Sequence, residues 1–261
     1  MSDTKSIWDA PELAVNVGQQ IADDLRDMVR AFDARHERSQ QTAIGPSQIG
    51  NPCTRCLARH ALGMKVVRDF DDPWCRIIGT AVHAWLDTAA GAANIAAMEA
   101  DQPARWYPEQ RVHPHPDLIP SGGTADLYDG LKHHAVIDHK IVGVDKIRKA
   151  RLNGPDPKYR VQSHVYGLGY HRLGKPVEHV AVAFWPRGGR LSDLYVWTEP
   201  YDVDVAMGAL MRWRTIRDKA LEVGPAILPL LPADPDCWDC GGKDVTPDEL
   251  TSRTTQPKET A

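Results

Sequence analysis

With 261 residues, 42% of them hydrophobic and 25% charged, and a net charge of −4, the chain has the composition of an ordinary soluble globular protein whose core can stand without disulfides. The mildly acidic balance argues against a protein that coats nucleic acid nonspecifically, but it allows a local basic groove that grips a short segment. No apolar run reaches the ~18 residues of a membrane span, and the opening "MSDTKSIWDAPELA" lacks a basic-then-apolar signal pattern, so a cytoplasmic protein with reduced thiols and no membrane partner is expected.

Residues 14–37 repeat apolar positions at helical spacing, and residues 1–46 are expected to form an N-terminal helical segment. A polar link leads from it to the first cysteine pair, Cys53 and Cys56. Gly79 opens the Ala-rich, helically periodic "GTAVHAWLDTAAGAANIAAMEA", which predicts that His83 lies one turn inside a helix N-terminus, where anions are attracted. After a proline-broken stretch, "WYPEQRVH" reads as a short strand.

The segments "GGTADLYD" and "HAVIDHKIV", joined through Gly130, predict a β-hairpin. The basic stretch 144–152 reads as a short helix, and residues 157–173 as a longer one opened by proline. Two further strands, "VEHVAVAFWP" and "DLYVWTE", precede a helix from about Asp202 to Val223. The polar tail 243–261 is expected to be disordered. Helices alternating with strands in this order indicate an α/β domain with a mixed central β-sheet flanked by helices.

The hairpin carries the chemistry. Residues two apart in a strand share a face, so Asp138 and Lys140 point the same way, and Asp126 adds a carboxylate from the neighbouring strand. Hard oxygen ligands with open positions suit Mg²⁺ or Mn²⁺, and a lysine beside them can orient water and counter charge that develops on a phosphodiester. His139 is expected to point away from that face and to offer only its backbone carbonyl to the metal. Asp-x-Lys alone is most often a surface ion pair at a strand end, and His83 alone most often a partly buried helical histidine. Gln162 and Tyr166 stand at i and i+4 on one helix face, where they could bond to phosphate or to the lysine, though alone they would read as an ordinary amphipathic face. Lys146, Arg148, Lys149 and Arg151 could track phosphates or simply be solvated.

The order of these motifs resembles the PD-(D/E)XK nuclease superfamily in its RecB-like branch, with the CRISPR-associated and phage-type exonucleases. "GTAVH" matches that branch's Gly-x-x-x-His helix, "GTADL" its Gly-x-x-Asp strand, "VIDHK" its (Asp/Glu)-x-Lys strand and "QSHVY" its Gln-x-x-x-Tyr helix. The upstream "PSQIGNPCTRCLARHALG" resembles the same branch's Ser-x-x-x…Cys-x-Arg segment, so the likeness covers most of residues 47–240. It implies a restriction-endonuclease-like core over residues 47–242, with His83, Asp126 and Asp138 as metal ligands, Lys140 catalytic, and Gln162 and Tyr166 completing the site.

Cys53/Cys56 and Cys237/Cys240 form two Cys-x-x-Cys pairs, leaving Cys75 alone, expected as a buried thiol. The pairs are too distant for a zinc ribbon closed on itself, which needs about 15–20 residues between them. They could be unrelated thiols, or a metal staple that joins the N- and C-terminal segments. The resemblance implies a 4Fe–4S cluster there, although the family pattern is one cysteine upstream and three near the C-terminus, and Zn²⁺ accepts four thiolates equally well.

The leading expectation is thus a Mg²⁺- or Mn²⁺-dependent exonuclease acting on single-stranded DNA or DNA ends in recombination- or repair-type processing. A recombination or CRISPR-type protein partner is compatible with it. The alternatives are a non-catalytic, metal-stapled DNA- or partner-binding protein, and a structure-specific endonuclease.

Overall fold

The computed structural model describes residues 17–35, 43–67, 72–235, 237, 240 and 243–245. Two compact units divide the chain, Met1–Gln41 and Thr42–Ala261. In the first, helix α1 (Val17–Asp33) shows a stripe of exposed Ile21, Leu25, Met28 and Phe32.

The second unit begins with short helices α2 (Pro46–Ile49) and α3 (Thr54–Ala61), strand β1 (Lys65–Val67) and the long helix α4 (Trp74–Glu99). Strands β2 (Trp106–Val112), β3 (Gly123–Asp129) and β4 (Ala135–Val142) follow, then helices α5 (Val144–Asn153) and α6 (Pro157–Arg172). Strands β5 (His179–Pro186) and β6 (Tyr195–Pro200), helix α7 (Val203–Val223) and strand β7 (Lys243–Val245) come next, with 3₁₀ turns at Leu191–Asp193 and Pro225–Leu230 completing the described elements. Five strands form one mixed sheet in the order β2-β3-β4-β5-β6. Only the β4–β5 pairing is parallel, because α5 and α6 form the crossover between those strands; the others are antiparallel neighbours. The predicted mixed sheet flanked by helices is the observed architecture.

Helix α6 starts where Asp156 caps it, its carboxylate accepting from Lys158 N at 2.9 Å with Pro157 in the first turn. From Gln162 to Tyr170 every residue of α6 is buried, as befits a helix packed on all sides. One side meets the sheet through Tyr166 and Tyr170 against Val112, Ala125, Tyr128 and Val136. The other packs Val165 and Leu168 with Ile49, Leu57, Leu210 and Trp213. Gly169 admits this approach, since a Cβ there would lie 2.6 Å from Val112. Helix α5 covers the sheet further along, with Ile147 and Ala150 on Val182 and Phe184.

The β3–β4 hairpin is pinned at its turn. Asp129 is 1% exposed and takes Arg105 on both oxygens, at 3.0 and 2.6 Å, while its Oδ1 also accepts from Leu131 N and Lys132 N. Burial works against the charged carboxyl, but the Arg105 and backbone N–H groups outweigh it and hold the carboxyl at about 2. Asp129→Ala is therefore expected to lose about 3 kcal/mol at neutral pH. A depressed folded pKa stabilises above the ordinary carboxylate range and fades as pH falls through about 2. Denaturant unfolding of both proteins should show the gap narrowing below pH ~4; a small, pH-independent gap would refute the assignment.

Three local expectations are corrected. Helix α4 begins at Trp74, whose N–H is accepted by Asp72 at 2.9 Å, so Gly79 is interior and His83 lies more than two turns in, beyond the reach of the helix N-terminus. Cys75, in the first turn of α4, is exposed and bonded by Arg187. The tail expected to be disordered opens with β7, which pairs antiparallel with β1, Lys65 opposite Val245; residues 246–261 lie outside the described residues.

Candidate active site and metal centre

Asp126 sits where two strand ladders break. Between β2 and β3 the pairing runs Pro108↔Leu127 and then Gln110↔Ala125, which leaves Glu109 across from Asp126 with no ladder pair between them. Glu109 has φ 45°, a left-handed conformation that side-chain-bearing residues seldom adopt. Between β3 and β4 the pairing stops at Leu127↔Ile137, and the Asp126 carboxylate instead accepts from His139 N at 2.7 Å. His83 of α4 brings Nδ1 within 3.5 Å of Asp126 Oδ1.

Ligand atoms of His83, Glu109 and Asp126 all lie within 4.8 Å of one another, so the group could hold a metal ion. These residues, Asp87 and His139 line one small cleft. Glu109 is not among the residues that the sequence singles out. Its one signal there is an acid in mid-strand after Pro108, because the left-handed backbone that turns it toward Asp126 leaves no mark in residue type.

His139 points away from the Asp138–Lys140 face as expected, but it offers more than its backbone carbonyl: its ring lies on the cleft, edge-on to His83 with centroids 5.9 Å apart. Alternation along β4 holds, because β4 stays paired with β5 from Ala135 to Val142; the cleft lies on the His139 side and not on the side that carries Asp138 and Lys140. Trp185 Nε1 donates to His139 Nδ1 at 3.2 Å, which leaves the ring proton on Nε2 and makes the neutral ring a donor at the cleft. Burial depresses the His139 pKa to about 4.

Asp138 and Lys140 share a face as predicted and form an ion pair, Nζ to Oδ2 at 2.6 Å. Neither lines the cleft. The Asp138 side chain is 0% and that of Lys140 18% exposed, and the Lys140 ammonium lies 4.9 Å over the Tyr159 ring. Gln162 and Tyr166 are buried on α6. Burial raises the Tyr166 hydroxyl, and the charges of Asp138 and Asp126 raise it further.

Electrostatics links the buried pair to the cleft. Burial pushes Asp138 up to about 6, with Lys140 opposing and Asp126 reinforcing the rise. Burial also disfavours the Lys140 ammonium, but Asp138 and Asp126 outweigh it and raise its pKa. Burial opposes ionised Asp126 too; His83, Lys140 and the His139 amide prevail and lower its pKa. At His83 the same carboxylate overcomes burial and raises the pKa. Of the basic residues on α5, Arg148 pairs with Asp145 at 3.1 Å, Lys146 meets Tyr159 OH at 3.2 Å, and Arg151 lies over the Tyr195 ring.

The four paired cysteines converge. Cys53 Sγ lies 3.1 Å from Cys240 Sγ, and Cys56 Sγ lies 3.2 Å from Cys237 and 3.6 Å from Cys240. Cys53 precedes α3, its N–H accepted by Asn51 at 2.9 Å, while Arg212 clamps Asn51 O and Pro52 O at 2.7 Å each. Burial raises the Cys56 thiol and, with its neighbouring cysteines, holds Cys240 at about 11. Burial would raise Cys53 as well, but backbone N–H at Asp234 and the neighbouring thiols bring it to about 7. Four sulfurs this close cannot all ionise without a cation between them.

Among the described residues no helix is long and apolar enough to cross a membrane. No family model and no curated protein matches the sequence. Among solved structures, the chain is similar to the crystal structure of an alkaline exonuclease (LHK-Exo) from Laribacter hongkongensis, with 9% identity, 71% of this chain and 91% of that chain covered, and a TM-score of 0.45.

Proposed function

We propose that the protein is a Mg²⁺- or Mn²⁺-dependent nuclease that hydrolyses the phosphodiester backbone of DNA, as an exonuclease on single strands or ends. The observation that carries the reading is the open His83–Glu109–Asp126 cleft, coupled through Asp126 to the buried Asp138–Lys140 pair. One imidazole and two carboxylates suit Mn²⁺ well and Mg²⁺ acceptably. A bound ion would polarise the phosphate and make its water acidic.

The rest belongs to the chain. Asp126, kept ionised and bonded to the His139 amide, fixes one ligand oxygen. Lys140, kept charged by Asp138, does not line the cleft and acts on it through the positive field that it sets at Asp126, which counters negative charge developing on the phosphate. His139, a lining residue whose Nδ1 accepts from Trp185, carries its ring proton on Nε2 as a donor. Gln162 and Tyr166 brace the buried side. The four-cysteine group serves as a structural metal staple.

The test is to offer purified protein linear and covalently closed single-stranded DNA with Mn²⁺. Linear substrate should be degraded and the closed circle spared; a cut circle would favour the endonuclease reading, and intact linear DNA would remove the nuclease. Glu109→Gln is expected to weaken Mn²⁺ binding and slow cleavage by about 10–100-fold. Glu109→Gly, which frees the left-handed backbone, should raise stability by about 1 kcal/mol while losing the same activity. Calorimetric Mn²⁺ titration checks the first, and unchanged affinity would exclude Glu109 as a ligand.

A further inference from the structure

We infer that Cys53, Cys56, Cys237 and Cys240 enclose a single tetrahedral ion of the zinc class, and not the iron–sulfur cube that the family resemblance implies. Sulfur spacing decides between the two, independently of the nuclease reading. A tetrahedral ion with metal–sulfur bonds of about 2.3 Å sets its four thiolates about 3.8 Å apart. A cube attaches each thiolate to a different iron at its corners, which spreads the same four sulfurs to on the order of 6 Å. Here the contacts are 3.1, 3.2 and 3.6 Å, and all four sulfurs fall within 4.8 Å of one another. The set is thus on the single-ion side of the division, and too long for a disulfide bond of about 2.05 Å.

The backbone reinforces the spacing. Each pair is wound into one turn: Cys53 O accepts from Leu57 N at 3.2 Å, and Cys237 O accepts from Cys240 N at 3.3 Å. Each turn presents two sulfurs along one edge, and the two edges face each other through the Cys53–Cys240 and Cys56–Cys237 contacts. Opening them to the span of a cube would require α3 to move away from the C-terminal segment. That movement is opposed by Arg55, which donates to Leu231 O at 3.0 Å and whose backbone N–H reaches Pro232 O at 3.3 Å. Cys53 is 0% and Cys56 4% exposed, so neither sulfur has slack toward solvent. All four donors are thiolates, which exclude the hard ion assigned to the cleft. A closed-shell ion held this way makes the centre structural and indifferent to redox change.

The experiment uses the full chain, produced with both iron and zinc supplied and purified without oxygen so that a cluster would survive. Elemental analysis should find about one zinc per chain, no acid-labile sulfide and no broad visible absorption. Titrating the native protein with an organomercurial should release that zinc in step with loss of the paired thiols. Cys75→Ser should retain the full zinc content, and Cys240→Ser should lose at least half of it. If Cys240→Ser does not fold, the mercurial titration of the unaltered chain still decides. Stoichiometric iron with sulfide, a single iron without it, or a metal-free protein would each overturn the assignment.

Discussion

Lys140→Met is expected to abolish metal-dependent DNA cleavage, by at least about 10³-fold, and to lose about 3 kcal/mol of stability. The second effect arises from the burial of Asp138, which is 0% exposed and pairs with Lys140 at 2.6 Å. Without the ammonium the carboxylate is a buried charge with no counter-ion, and it must bind a proton to remain inside. Its pKa, already lifted to about 6, would climb further. With the folded pKa above the unfolded one, the folded state binds the extra proton, so the variant loses stability as pH rises from about 4. Asp138→Leu should cost less, because Lys140 is 18% exposed and can carry its charge to water. The double change Asp138→Leu/Lys140→Met should recover most of the loss, since apolar replacement of a buried pair is often neutral or stabilising, and it should remain inactive. Urea unfolding of the four proteins across pH 4–8 and a cleavage assay decide it. A double variant no more stable than Lys140→Met, or a Lys140→Met protein keeping a tenth of the parental activity, would disprove the pair's assigned role.

Where side-chain period alone sets structure, the sequence is readable. The β-branched runs around Gly130 mark the hairpin, and Pro157 with the helical period after it marks α6. The start of α4 is harder to read because Gly79 looks like a boundary, while the actual signal, the Asp72–Pro73 step, stands six residues before it. The cleft is half legible for a related reason. Strict alternation places Asp138, His139 and Lys140 correctly without telling which face holds the cleft, and it gives no guide at Asp126, which lies where the ladders to β2 and β4 are interrupted. Interruptions of that kind are tertiary events, and Glu109 shows it most plainly. Nothing in "YPEQ" announces a φ of 45°. Strand β7 escapes notice because three residues of backbone pairing leave no compositional trace.

The cysteine staple carries the other large effect, and its size comes from chain length more than from contacts. Joining Cys56 to Cys237 closes a loop of 181 residues, which by chain entropy alone is worth about 5 kcal/mol in the unfolded state. The structure it fastens is thin: the Arg55 bonds to residues 231 and 232, the pairing of β1 with β7, and a small cluster of Ala58, Met64, Ala220, Ile227 and Leu228. The sheet face of α6 has a core without any residue of α3, and the buried core on its other face takes only Leu57 from α3, beside Ile44, Ile49, Leu118, Ile119, Leu210 and Trp213. Removing the staple, by Cys53→Ala/Cys56→Ala or by stripping the thiolate-bound ion from the native chain, should therefore loosen the ends before the middle. Hydrogen exchange is expected to rise in residues 54–67 and 225–235 while β3, β4 and α6 stay protected, and the global unfolding midpoint should fall with the full loop-closure loss. Equal deprotection of the central sheet would mean that the staple organises the nuclease core itself; unchanged exchange at both ends would mean that the thiols bind nothing the fold needs.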